Sequence, residues 1–308
     1  MYLATRRAAF LGAGALAVSA AIPARAQTNN VVSRRNIEYG KHDGVSLLGD
    51  LWQPAAPGKY PVVIGVHGGG WQTGSRTTYQ YWGPWLAQRG YVFFAISYRL
   101  MTPGKKMFPE SVHDARAAIQ FARSQGEALK GDPDRIALMG DSAGAHLVAL
   151  VGLAGDHPTY KGTAYMDDSY SAVSTKVKAV IPNYGIFDMA QQWNHDVLSR
   201  PLDNIVEKYL GASPMDNRKL YFDASPMSYV TKDNAGVAFL LSHGTEDDIV
   251  DRVQSDSFLL ALKQARNPAF HFVNPGAAHG WNSEPIDEPG SYTNAFAPRV
   301  LRFLQARL

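Results

Sequence analysis

Strand-like apolar runs recur along the chain near residues 45–52, 60–66, 91–97, 135–140, 177–182, 237–242 and 269–273. Helical stretches fall between many of them. Ser111 to Arg123 places Val112, Ala115, Ile119 and Ala122 on one face, and Tyr292 to Leu308 closes the chain with apolar residues at helical spacing. Strands that alternate with helices predict an α/β fold: a mostly parallel sheet with helices on both faces. No internal repeat, low-complexity tract or charge run breaks the pattern. Two stretches fit it poorly, about 155–175 and 185–235; they hold Tyr160, Tyr165, Tyr170, Trp193, Tyr209, Tyr221 and Phe222. These predict inserts, or surface loops packed by their own aromatics.

The first 26 residues lie outside this pattern. Thr5-Arg6-Arg7 is a positive start, Ala8 to Ile22 a small-residue apolar run, and Ala24-Arg25-Ala26 an A-x-A cleavage site. The run is short and rich in Gly and Ala for a bilayer span. The paired arginines before Phe10-Leu11 resemble a twin-arginine export signal, with an ordinary Sec signal as the alternative. The expected product is periplasmic or secreted: one domain over residues 27–308. Cleavage before Gln27 removes Arg6, Arg7 and Arg25 and no acid, which leaves 27 basic residues against 27 acidic. The basic balance therefore belongs to the signal and gives no reason to expect nucleic acid or an anionic membrane as partner. The absence of cysteine excludes disulfides, thiolate metal sites and a cysteine nucleophile. No histidine pair has the helical spacing of a zinc site, and Asp167-Asp168 alone is no calcium loop, so no metal is expected.

The chemistry gathers where predicted strands end. Gly140-Asp141-Ser142-Ala143-Gly144 follows the run Ile136-Ala137-Leu138-Met139 and opens into the helical stretch His146 to Leu150. Glycines two before and two after the serine let the chain fold back sharply and push Oγ clear of the backbone. The plainer alternative is an ordinary strand-to-helix turn capped by Ser142. A nucleophilic serine needs a base and an orienting carboxylate. Phe239 to Gly244 reads as a strand entering Thr245-Glu246-Asp247-Asp248, and Phe270 to Val273 as a strand leading to His279-Gly280-Trp281. Serine, then Asp247 or Asp248, then His279 is the α/β-hydrolase triad order. Upstream, Tyr60 to Val66 ends in His67-Gly68-Gly69-Gly70-Trp71, whose bare N–H groups can approach a substrate oxygen. A phosphate loop spanning Gly69 and Gly74 is set aside, because Ser75 stands where its lysine must be.

Together these segments, with Ser97-Tyr98-Arg99-Leu100, Ala224-Ser225-Pro226 and His243-Gly244-Thr245, resemble the α/β-hydrolase superfamily. Within it they are similar to carboxylesterases related to hormone-sensitive lipase and to bacterial feruloyl and acetyl esterases, from about Asn36 to the C-terminus. The resemblance implies Ser142 as nucleophile, His279 as base and Asp247 as acid, with the amides of Gly69, Gly70 and Ala143 as oxyanion hole. It implies a small-molecule ester as substrate, no cofactor, and inserts that fold over the nucleophile as a cap. The acid loop Gly-Thr-Glu-Asp-Asp departs from the Asp-Pro-Leu-like motif of hormone-sensitive lipases and looks closer to feruloyl esterases and prolyl peptidases. His67 and His243 are expected to support loops through hydrogen bonds, His146 to be a packed, hydrogen-bonded residue of the helix after Ser142, and Arg99 to pair with Asp114. The alternatives are an amide hydrolase, such as an arylformamidase or small peptidase, and a catalytically inactive ligand-binding relative.

Overall fold

The computed structural model describes residues 30–42, 44–161 and 172–308. The expected export signal at 1–26 lies outside these residues, as do Tyr165, Asp167, Asp168 and Tyr170 of the first insert.

Eight strands form one sheet: β1 (Val31–His42), β2 (Val45–Pro54), β3 (Tyr60–Val66), β4 (Val92–Ile96), β5 (Gly131–Asp141), β6 (Ala179–Asn183), β7 (Ala238–Gly244) and β8 (Ala269–Asn274). Their spatial order is β1-β2-β4-β3-β5-β6-β7-β8. β1 and β2 pair antiparallel, as do β2 and β4, and every other pairing is parallel. The central strands are buried on both faces, and their residues divide by parity as the pleat requires. Val62, Ile64 and Val66 of β3, with Phe94 and Leu138, join one core. Val63, Phe93, Ala137 and Met139 join the other.

Helices cover both faces. α2 (Glu110–Ser124), α3 (Ala143–Ala154) and α7 (Val253–Gln264) bury Ile119, Leu147 and Phe258 in the first core. α1 (Trp82–Ala87) and α8 (Tyr292–Arg307) bury Trp82, Leu86, Phe296 and Val300 in the second. The predicted α/β layering is the observed one. β1 is the strand that the apolar pattern does not reveal. It is an edge strand whose residues 32–36 are all exposed, so it carries polar side chains and no apolar run.

The second insert holds three short helices: α4 (Met189–Ser199), α5 (Ile205–Leu210) and α6 (Arg218–Ala224). Asp188, Asn204 and Asn217 cap them by accepting from the backbone N–H of Gln191, Glu207 and Leu220. Tyr160, Tyr209 and Tyr221 are buried in the same core as α3, whereas Phe222 is exposed. The aromatics of this region thus serve mainly to seat it on the sheet.

Candidate active site

Ser142 occupies the one-residue corner between β5 and α3, with φ 54° and ψ −117°. A non-glycine residue held there costs about 1–3 kcal/mol. The corner exists because its flanks have no side chains. A Cβ on Gly144 would lie 2.0 Å from the Val66 carbonyl oxygen, and one on Gly140 would lie 2.4 Å from the Gly144 oxygen. The Ser142 N–H donates to the Asn183 carbonyl (3.0 Å), which ties the corner to β6.

His279 stands in the loop after β8, with Nε2 2.9 Å from Ser142 Oγ and Nδ1 2.7 Å from Asp247 Oδ2. The carboxylate can only accept, so Nδ1 carries the proton and Nε2 faces the serine hydroxyl as an acceptor. The loops that carry Asp247 and His279 are bound to one another. Thr245 N–H donates to Asn274 O (3.1 Å), Glu246 N–H to Ala277 O (3.0 Å) and Gly276 N–H to Thr245 Oγ1 (2.8 Å).

Asp247 is held on both oxygens. Oδ1 accepts from the N–H groups of Ile249 (3.1 Å) and Val250 (2.9 Å), while Oδ2 takes His279 and lies 3.3 Å from His243 Nε2. Burial pushes its carboxyl up, but hydrogen bonds from His243, His279 and the Val250 N–H outweigh this and hold it well below the usual carboxylate range. The neighbouring Asp248 is exposed; its backbone carbonyl accepts from His195 Nε2 at 3.1 Å. Nor does Asp248 cap α7, since the Val253 N–H is taken by Asp251 (2.9 Å). His243 supports the acid loop as expected. Nε2–H also donates to Val250 O (2.9 Å), so Nδ1 accepts from Ser255 Oγ (2.7 Å).

The glycine loop after β3 packs against Ser142: a Cβ on Gly68 would lie 3.2 Å from Ser142 Cβ. Gly69 adopts φ 109°, and a Cβ there would lie 2.3 Å from the Thr73 carbonyl oxygen. The Gly69 carbonyl accepts from Gln72 N (3.1 Å) and Thr73 N (3.0 Å), which closes the loop on itself. The N–H groups of Gly69, Gly70 and Ala143 find no acceptor among the described residues. His67 donates from Nδ1 to Gly68 O (2.7 Å) and stacks on Tyr98 at 4.4 Å. Burial lowers its pKa to about 4, so it is neutral.

The loop's far end is anchored to the second insert. Trp71 stacks on Tyr209 (4.3 Å) and donates from Nε1 to His146 Nδ1 (3.2 Å), and His146 Nε2–H donates to Ala224 O (2.7 Å). Burial lowers His146 to about 4, which keeps the neutral tautomer that this chain of bonds requires. Arg99 and Asp114 pair as expected, with Nη2 2.8 Å from Oδ1 and the Arg99 N–H 2.8 Å from Oδ2.

One set of residues escaped sequence reasoning. Asp141 Oδ1 accepts from both Asn183 Nδ2 and Asn282 Nδ2, each at 2.8 Å, and Ser242 Oγ donates to Asn183 Oδ1 at 2.6 Å. This buried net joins the nucleophile corner to the ends of β6 and β7 and to the turn three residues past His279. Burial raises the Asp141 pKa to about 6, against the pull of the two amides. Asp141 was visible inside the serine motif, but its partners stand 42 and 141 residues away and carry no local signal. Among the described residues, no cluster of His, Cys, Asp or Glu could hold a metal ion, and no helix is long and apolar enough to cross a membrane.

The esterase LipQ of Mycobacterium tuberculosis is 31% identical over 255 residues, which cover 80% of this chain and 57% of the relative. The esterase LipC of the same organism is 32% identical over 258 residues, 82% of this chain and 60% of LipC. The chain thus spans somewhat more than half the length of these relatives. The structure of esterase Est2 from Thermogutta terrifontis with propionate bound superposes with a TM-score of 0.70 at 25% identity, covering 88% of this chain and 93% of that one. Residues 50–262, which run from the middle of β2 into α7 and take in the glycine loop, the serine corner and the Asp247 loop, match the BD-FAE family, and the chain belongs to that family.

Proposed function

We propose that the protein is a serine carboxylesterase, and the observation that carries this is the unbroken line from Ser142 Oγ through His279 to the buried Asp247 carboxylate. His279 Nε2 takes the serine proton as Oγ attacks the ester carbonyl. Asp247 holds the imidazole in the required tautomer and stabilises its charged form. The free N–H groups of Gly69, Gly70 and Ala143 receive the oxyanion. His279 then protonates the leaving alcohol, and water repeats the cycle on the acyl-enzyme. No step requires a cofactor. The likeness to the esterases LipQ and LipC supports an ester over an amide, and the propionate in Est2 supports a short acyl group.

Ser142→Ala tests this reading. Hydrolysis of aryl acetates and propionates and labelling by a fluorophosphonate should both disappear while the thermal unfolding curve is kept. A variant that retained more than about a hundredth of the wild-type rate would refute it, because catalysis left after triad loss lies far below that.

We further propose export, with residues 1–26 as the signal and 27–308 as the working enzyme. Mass spectrometry of the periplasmic protein should find Gln27 at or near the N-terminus, and replacing Arg6-Arg7 by Lys-Lys should slow export. Retention of Met1 would refute the signal, and unimpaired export of the Lys-Lys protein would indicate the Sec route.

A further inference from the structure

Immediately beyond the glycine loop, the hairpin turn around Thr102 and Lys105 and the C-terminal end of α5 enclose an open cavity of about 630 Å³. Gln72, Met101, Lys105, Lys106, Lys208 and Gly211 line it, and no carboxylate among the described residues does. The cavity is joined to the catalytic loop. The Met101 N–H donates to Trp71 O at 2.8 Å, and a Cβ on Gly70 would lie 3.1 Å from Ile205 Cδ1 and 3.9 Å from Gln72 Nε2. Gly68, against Ser142, is two residues from Gly70, at most ~7 Å of extended backbone.

Its charge is a local excess. The whole chain has 30 basic and 27 acidic residues, yet three lysines line this wall and two of them have no acidic partner among the described residues. Lys208 pairs with Asp203, while Lys105 and Lys106 form no ion pair among the described residues. Lys106 is also positioned: Gly211 ends α5 at φ 81°, and a Cβ there would lie 2.9 Å from Lys106 Cδ. Its stem therefore lies along the end of the helix, on the wall of the cavity.

We propose that this cavity receives a carboxylate carried by the ester, so that the preferred substrates bear an anionic substituent several bonds from the scissile carbonyl. The proposal rests on the serine-esterase reading and narrows its substrate class. Unpaired lysines on the wall of an open cavity attract a small anion and discriminate against its neutral counterpart, and salt screens the effect.

The test is a set of matched pairs. On the acyl side, aryl hemiesters of succinic, glutaric and adipic acid are compared with their methyl-capped forms. On the alcohol side, acetates of hydroxyphenyl-alkanoic acids are compared with the corresponding amides. For one side at one length, wild-type kcat/KM should favour the free acid by about five- to tenfold, and that preference should shrink as salt rises. In the combined Lys105→Gln, Lys106→Gln, Lys208→Gln variant the acid-to-neutral ratio should fall to about one. The side and length with the largest ratio report which half of the ester reaches the cavity. Wild-type turnover of the neutral esters with no preference for either acid series overturns the cavity assignment and leaves the esterase reading standing, as does a preference that survives the lysine replacements. Absence of turnover for every compound overturns both.

Discussion

Replacing one oxygen of Asp247 by an amide nitrogen should disable the enzyme without disturbing its outline. Both carboxylate oxygens are committed as acceptors, Oδ1 to the backbone N–H groups of Ile249 and Val250 and Oδ2 to His279. Asparagine can keep only one of these arrangements. With its oxygen toward the backbone pair, its NH2 meets His279 Nδ1, which must give up its proton; Nε2 then carries it and cannot take the serine's. With the oxygen toward His279, two buried N–H donors face an NH2 group, and the charge that stabilised the imidazolium is still gone. At 2.7 Å and an effective dielectric near 20, the lost attraction is at most about 6 kcal/mol. A fall in kcat of about 10³–10⁴ corresponds to ~4–5.5 kcal/mol, inside that bound and typical of a wrong imidazole tautomer. Asp248 is exposed, so Asp248→Asn should cost less than about tenfold. Steady-state hydrolysis of an aryl acetate by the two variants decides the matter. The reverse order of losses would move the acid to Asp248, and small losses in both would remove it from this loop.

Asp141→Asn should change how stability depends on pH. Its folded-state pKa is raised from 3.8 to about 6, so between those values the folded chain binds a proton that the unfolded chain does not. Its cost therefore grows as pH rises from about 4 to 6 and stands in full above 6. Chemical denaturation should show the difference between variant and wild type moving in the variant's favour by on the order of 3 kcal/mol across that range; a constant difference would refute the burial argument. His146→Leu deprives the Trp71 Nε1–H and the Ala224 carbonyl of their partners. It should lower kcat by about ten- to a hundredfold with KM changed less than about threefold, since it loosens donors that act in the transition state. Steady-state kinetics on one aryl ester would show this, and a rise in KM at unchanged kcat would refute it.

The sequence made the fold legible wherever burial imposes a pattern on the chain. β3, β4, β5 and β7 are covered on both faces, so their apolar runs stand out against the turns. β1 contributes mainly backbone pairing to β2 and left no such mark. The serine corner was legible because its steric demand falls on positions beside the serine: only glycine fits at 140, against the Gly144 carbonyl, and at 144, against the Val66 carbonyl. Choosing between Asp247 and Asp248 required a family resemblance, because adjacent carboxylates look alike in sequence. What separates them is the turn in which Asp247 Oδ1 accepts from the two following N–H groups, Ile249 and Val250. The caps Asp188, Asn204 and Asn217 were present in the second insert, but its helices have six to eleven residues, too short for a clear helical period.

The arrangement of strain shows why the site needs the rest of the fold. Ser142, Trp71 and Tyr184 are non-glycine residues at φ 54°, 58° and 38°, conformations that a free peptide would leave. Each is overruled by contacts from a different part of the chain. Ser142 hangs from Asn183 of β6, Trp71 lies on Tyr209 of the second insert, and the Tyr184 N–H donates to Ser242 O of β7 at 2.7 Å. The Tyr184 ring in turn stands edge-on to His279 at 4.9 Å. Nucleophile, glycine loop and base are thus fixed by three separate elements that meet at the carboxyl ends of the strands. At about 1–3 kcal/mol each, the strain is affordable only while all three remain docked. A serine held ready for its base is consequently a property of the whole sheet with its insert in place, and a change that loosens α5 should reach the chemistry through the Tyr209–Trp71 stack.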